Sequence, residues 1–139
     1  MRFMIIVKAT ADSEAGVMPK PEMFETMGKF HEELAQAGIL LDASGLQRSA
    51  LGWRIRYQGE QRSFVDGPFA ETKELIAGYT LIRTHSREEA MAWTRRFPNP
   101  AIDGGEGEIE VRQLFESEDL EPSEALARFL ALDLPSQSS

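Results

Sequence analysis

The chain has 139 residues, 42% apolar and 27% charged, the size and balance of one globular domain whose core needs no metal or disulfide to hold it. It has no Cys, which excludes disulfides, thiolate catalysis, zinc–thiolate sites and iron–sulfur clusters, and its longest apolar run, Phe3 to Val7, is far too short to span a membrane. The net charge of −8 lies entirely beyond residue 102, where 10 acids face only Arg112 and Arg128; with no basic stripe elsewhere, nucleic-acid binding is not expected.

Arg2 to Lys8 (RFMIIVK) predicts a strand apolar on both faces, with Phe3, Ile5 and Val7 on one and Met4 and Ile6 on the other, hence a central strand. After a loop holding Gly16, Pro19 and Pro21, the spacing of Met23, Met27, Phe30, Leu34 and Ala37 predicts an amphipathic helix. Pro21 suits its first turn, Glu22 complements its dipole, and Gly38 closes it at C′. Ile39 to Leu41 opens a second strand, interrupted by Gly45. Trp53–Gln58 and Gln61–Asp66 flank Gly59-Glu60 as a hairpin with a tight turn.

Beyond the Asp66-Gly67-Pro68 turn, Ala77 to Arg83 predicts another strand. Ser86 to Glu89 has the form of a capping box, opening a helix that buries Ala90, Trp93 and Phe97 and that Pro98 and Pro100 end. Glu108 to Phe115 is the last strand. Residues 117–139 read as one acidic amphipathic helix (Leu126, Phe129, Leu130) with a frayed Pro-Ser-Gln-Ser-Ser end. The order strand, helix, strand, hairpin, strand, helix, strand predicts an α+β, ferredoxin-like domain over residues 1–116, with two helices on one face of a mainly antiparallel sheet. Strands apolar on both sides leave a second face to cover, so a homodimer packed sheet to sheet is expected.

The least generic segment is Asp66-Gly67-Pro68-Phe69-Ala70-Glu71-Thr72-Lys73-Glu74, followed by Gly78-Tyr79. It resembles the signature of the DGPF branch of the YCII-related domain family. Glu32-Glu33-Leu34 with Ala37-Gly38, Ser86 to Arg96 with Trp93, and Glu108 to Glu116 agree in order and spacing. The resemblance covers residues 1–116 and implies a dimeric α/β barrel. Other branches resemble small-molecule enzymes with a His–Asp pair in a pocket beside the sheet. Where the wider family has that His, this chain has Glu22, Met23 and Glu25, and its own His31 comes two turns later.

Several side chains are candidates for chemistry, each with a plainer reading beside it. The carboxylate of Asp66, at the end of a strand, suits a proton acceptor, or else an Asx-turn that starts Asp-Gly-Pro. Glu71, Lys73 and Glu74 with Thr72 offer acids, an amine and a hydroxyl for a carboxylate or phenolate ligand, or else a helical turn with a surface ion pair. Phe69 reads as a core plug. His31, on the border of the apolar helix stripe, either faces a pocket or spans core and water. Arg54 and Arg56 share one strand face and either clamp an anion or form the charged outer face of a hairpin. His85 reads as a loop residue. Two His without Cys and without i,i+4 spacing make a metal site improbable.

Two functions follow. One is a small-molecule enzyme without metal or other cofactor, in which Asp66 accepts a proton while Glu71, Lys73 and His31 position a small acidic or aromatic substrate for elimination or isomerisation, with Arg54, Arg56 and Glu74 binding it. The other is a non-catalytic dimer that binds a ligand or a regulatory protein partner, with the acidic tail as docking surface. Neither a membrane nor a nucleic acid is an expected partner, and no signal-peptide pattern is seen, so a cytoplasmic location is expected.

Overall fold

A computed structural model describes residues 1–132. In chain order it holds β1 (Arg2–Lys8), α1 (Ala11–Glu14), α2 (Pro21–Gln36), β2 (Leu40–Gly45), β3 (Trp53–Gln58), β4 (Gln61–Asp66), β5 (Ile76–Arg83), α3 (Arg87–Arg95), β6 (Ile109–Gln113) and α4 (Glu124–Leu130), with 3-10 turns at Ser49–Leu51, Thr72–Glu74 and Ser117–Asp119. The fold is mixed α+β, as expected.

β2, β5, β1 and β6 form, in that order, one antiparallel sheet. Its register pairs Phe3 with Ile82 and Ile5 with Thr80, so these four share one face. α2 and α3 cover that face: Phe30 and Leu34 from α2 and Ala90 from α3 join Phe3, Ile5, Ile39 and Ile82 in the buried core, with Trp93, Phe97 and Ile109 packed at its edge. The opposite face carries Met4 and Ile6, which are half-buried, and the buried Leu81. Arg2 reaches along it to the Glu116 carboxylate and the Phe115 carbonyl, tying the end of the sheet to the C-terminal segment. The sheet of one chain is open at both edges, not a closed barrel.

β3 and β4 form a separate two-stranded sheet, turned at Gly59 (φ +61°). Trp53, Ile55, Tyr57 and Phe64 lie on one of its sides, where Trp53 is 62% and Phe64 72% exposed, so this apolar side has no partner among the described residues. The hairpin is anchored at its base instead. The Gly67 N–H donates to the Gly52 carbonyl (3.0 Å), and the Phe69 N–H donates to Ser49 Oγ (3.1 Å). The Ser49 hydroxyl and amide both donate to the Glu14 carboxylate.

Three local expectations change. Residues 11–14 form a short helix rather than loop, because the Thr10 hydroxyl accepts from the Ser13 N–H and Ser13 Oγ returns the bond to the Thr10 backbone. Ser86 caps α3 through the Glu89 N–H, but the Glu89 carboxylate accepts from His85 N–H, so the box is only half closed. Residues 117–139 are not one helix: a 3-10 turn at Ser117–Asp119 is followed by Pro122, which has no N–H to continue it, and Ser123 caps a separate seven-residue α4. The Pro-Ser-Gln-Ser-Ser end lies outside the described residues.

Candidate functional site

A cavity of about 710 Å³ opens between the first half of α2, the loop after α1, the end of β2 with the loop behind it, and the first half of β5. Its size is that of a small-molecule pocket. The apolar stripe of α2 creates it by dividing its work: Phe30 and Leu34 fill the core, while Met27 and Met23, about one and two turns nearer the N-terminus than Phe30, wall the cavity. Gly28 stands on the same wall, a turn from both Phe24 and His31. A β-carbon there would meet nothing within 4 Å, so the missing side chain widens the cavity.

His31 is the imidazole in this wall. Its Nδ1 lies 2.7 Å from the Met27 carbonyl and its Nε2 2.8 Å from Thr80 Oγ1. A carbonyl only accepts, so Nδ1 carries the proton; in the neutral ring Nε2 then accepts from the Thr80 hydroxyl. The ring also meets Phe30 and Phe97 edge to face, at centroid distances of 5.9 and 6.0 Å, which fixes its plane. Thr80 is buried on the helix-facing side of β5 and also lines the cavity. A hydroxyl, an imidazole and an orienting carbonyl thus stand in line, the arrangement by which a base takes a proton from a hydroxyl, with a neutral carbonyl where a carboxylate would be the stronger orienter.

Among the described residues no Asp, Glu or Lys lines the cavity, and Arg48 is its one formally charged side chain. Asp42, the acid at β2, accepts nothing from His31: its carboxylate accepts from the Tyr79 hydroxyl (2.9 Å) and from the Ala43 N–H. Among the described residues no cluster of three His, Asp or Glu side chains could hold a metal ion, and no helix is long and apolar enough to cross a membrane.

The other candidates lie elsewhere. Asp66 is exposed at the end of β4, opposite Trp53, and its carboxylate makes no hydrogen bond among the described residues, so no Asx-turn forms. Lys73 and Glu74 are exposed on the 3-10 turn before β5 and Glu71 just ahead of it, without an ion pair among them. Arg54 lies over the ring of Phe69, 3.8 Å from its centroid, so Phe69 is a half-buried platform for Arg54 rather than a core plug. Arg56 lines a separate open groove of about 670 Å³ at the hairpin, with Tyr57 and Arg62. His85 is exposed beside Glu89 (3.3 Å). Of the seven residues proposed from sequence, only His31 lines the cavity.

Sequence reasoning missed Thr80, Arg48 and Gly28. The signal for Thr80 was a hydroxyl on the face of a central strand whose next inward residue is Ile82; that for Gly28 was a glycine inside a helix with no turn to make. Arg48 left no local signal, since only the fold carries its loop to α2.

A family model, the YCII-related domain, matches residues 1–118. An uncharacterized protein of Rhizobium meliloti (strain 1021) is 34% identical over 79 residues, 57% of this chain and 62% of that protein. The chain therefore spans less than two thirds of that relative's length.

Proposed function

The chain belongs to the YCII-related domain family, and we propose that its cavity takes a small, mainly apolar molecule on which His31 and Thr80 move a proton, in an elimination or isomerisation without metal or redox cofactor. The observation that carries this reading is the His31 ring, held at both nitrogens and set in the wall of a ligand-sized cavity. Its fixed tautomer leaves Nε2 as base toward Thr80, whose hydroxyl oxygen then meets the substrate. Within the family, the Asp66-Gly67-Pro68-Phe69 segment supports a place in the DGPF branch. Two copies join through the uncovered sheet face and the apolar side of the β3–β4 hairpin, giving a dimeric barrel; light scattering of the intact chain and of one ending at residue 116 tests the assembly and the part α4 takes in it.

A second reading, a non-catalytic dimer that binds a ligand or a regulatory partner, draws on the missing carboxylate: with no acid behind His31, an imidazolium gains no ion pair in the wall. One experiment separates the two. Lactones and phenols are screened by thermal shift, and each hit is incubated in D₂O and followed by NMR. The enzyme reading expects deuterium to enter the ligand with wild type and Asp66→Asn, to stop with His31→Asn and to slow with Thr80→Val. Hits that stabilise the protein and never take up deuterium would hand the site to the binding reading.

A further inference from the structure

Every polar side chain of the cavity but one is neutral or, as with His31, turned to a partner inside the protein. The exception is Arg48. It makes no ion pair or side-chain hydrogen bond among the described residues. Its guanidinium passes over Gly16: a β-carbon on Gly16 would lie 3.3 Å from Arg48 Cζ and closer still to Nη1, and Gly16 has φ +80°, a conformation that favours glycine. The loop after α1 thus leaves room for the guanidinium to pass, and Arg48, exposed to solvent, stands at the rim of the cavity.

The backbone behind Arg48 is fixed as well. Its carbonyl accepts from Leu51 N–H (3.0 Å), and the next residue, Ser49, is clamped by the Glu14 carboxylate. Glu14 accepts from Ser49 with both its oxygens and makes no ion pair with the arginine. The apolar side chains of the cavity lining include Met18, Met23, Met27, Leu46, Phe97 and Ile102. Three methionines give it an adaptable surface for a flat or branched body.

We infer that the ligand of this cavity is an amphipathic monoanion, an apolar or aromatic carboxylate, whose charge is held by Arg48 while its apolar body lies against the methionine wall toward His31. An unpaired guanidinium beside an acid-free apolar wall selects one negative end on an otherwise uncharged molecule; a polyanion would find no second cation, and a cation would meet only Arg48. The inference rests on the proposed use of this cavity and adds the chemistry of what enters it.

The probe is phenylacetate, with phenylacetamide as the same body without the charge, each titrated by calorimetry into the full chain. Wild type is expected to bind phenylacetate about 10-fold more tightly than the amide, and Arg48→Gln to remove that preference while leaving the amide unchanged, a loss of about 1.4 kcal/mol. Gly28→Leu, which puts a side chain into open space on the wall, is expected to weaken both probes. Amide binding that Gly28→Leu weakens, without any preference for phenylacetate, would overturn the inference and keep the cavity. Binding that Gly28→Leu leaves intact would overturn both. A wild type that binds neither probe at millimolar concentration would also refute the carboxylate class.

Discussion

A β-carbon on Gly67 would lie 2.7 Å from the carbonyl carbon of Ser49, and nearer still to its oxygen. Backbone meets backbone there, so no rotamer change relieves the contact. The least generic segment of the chain is therefore a docking joint: Gly67 allows the approach, Phe69 N–H bonds Ser49 Oγ, and Arg54 lies on the Phe69 ring. Gly67→Ala should cost about 1–3 kcal/mol, the usual penalty for overpacking. The loss falls on the joint rather than the main sheet, so the Phe69 amide should lose hydrogen-exchange protection while Ile5 and Ile82 keep theirs. Unchanged protection at Phe69 would show that the close approach does not hold the hairpin.

The α2 stripe provides a second test. Leu34 is fully buried in the core, whereas Met27 is half-buried on the cavity wall, yet both occupy the same apolar face of one helix. Leu34→Ala should destabilise by about 2–5 kcal/mol, because the transfer loss is joined by a cavity the core cannot close. Met27→Ala should cost much less in a urea titration and change ligand affinity instead. Equal destabilisation by the two would mean that the cavity is collapsed in solution.

How much of this was legible follows from the range of each signal. Pro21, the 3.6-residue stripe and Gly38 marked the ends of α2, and Gly59 marked the hairpin turn, because caps and turns are written within a few residues of where they act. α1 is too short for any periodicity, and the apolar spacing of Leu126, Phe129 and Leu130 does not register the break that Pro122 makes before Ser123. The site is a harder case. His31 meets Thr80 across 49 residues and Glu14 meets Ser49 across 35, contacts that strand order creates and spacing along the chain does not record. Glu71, Lys73 and Glu74 are dense in polar groups along the chain, but a dense segment on an exposed turn is not a convergent one.

Glu110 on β6 gives the one pH-dependent expectation. Its carboxylate accepts from Arg112 Nη1 (3.1 Å) and faces Lys8 Nζ (3.5 Å); the Arg112 hydrogen bond first, and then the Lys8 charge, hold its pKa below the ordinary glutamate value. A carboxyl whose folded pKa is lowered contributes stability above its unfolded pKa, and that contribution is lost as pH falls through the lowered folded value. NMR titration of the side-chain carboxyl should find it below a free glutamate, and Arg112→Gln should move it upward. An unmoved midpoint in that variant would assign the shift to Lys8 alone.

Gly28 sets stability against function at a single atom. In a helix interior glycine costs about 0.5–1 kcal/mol relative to alanine, since its backbone has more freedom to lose. Nothing in the fold demands it: its φ is not positive, and an added β-carbon has open space. Gly28→Ala should therefore raise the stability of the chain by about that amount and its Tm by a few degrees. The same β-carbon takes space between Phe24 and His31 on the cavity wall, so ligands that fill the pocket should bind the stabilised variant more weakly, with larger losses for larger side chains at this position. A variant that gains stability and keeps its full affinity would mean that the ligand lies clear of this wall, and that the glycine serves neither the helix nor the site.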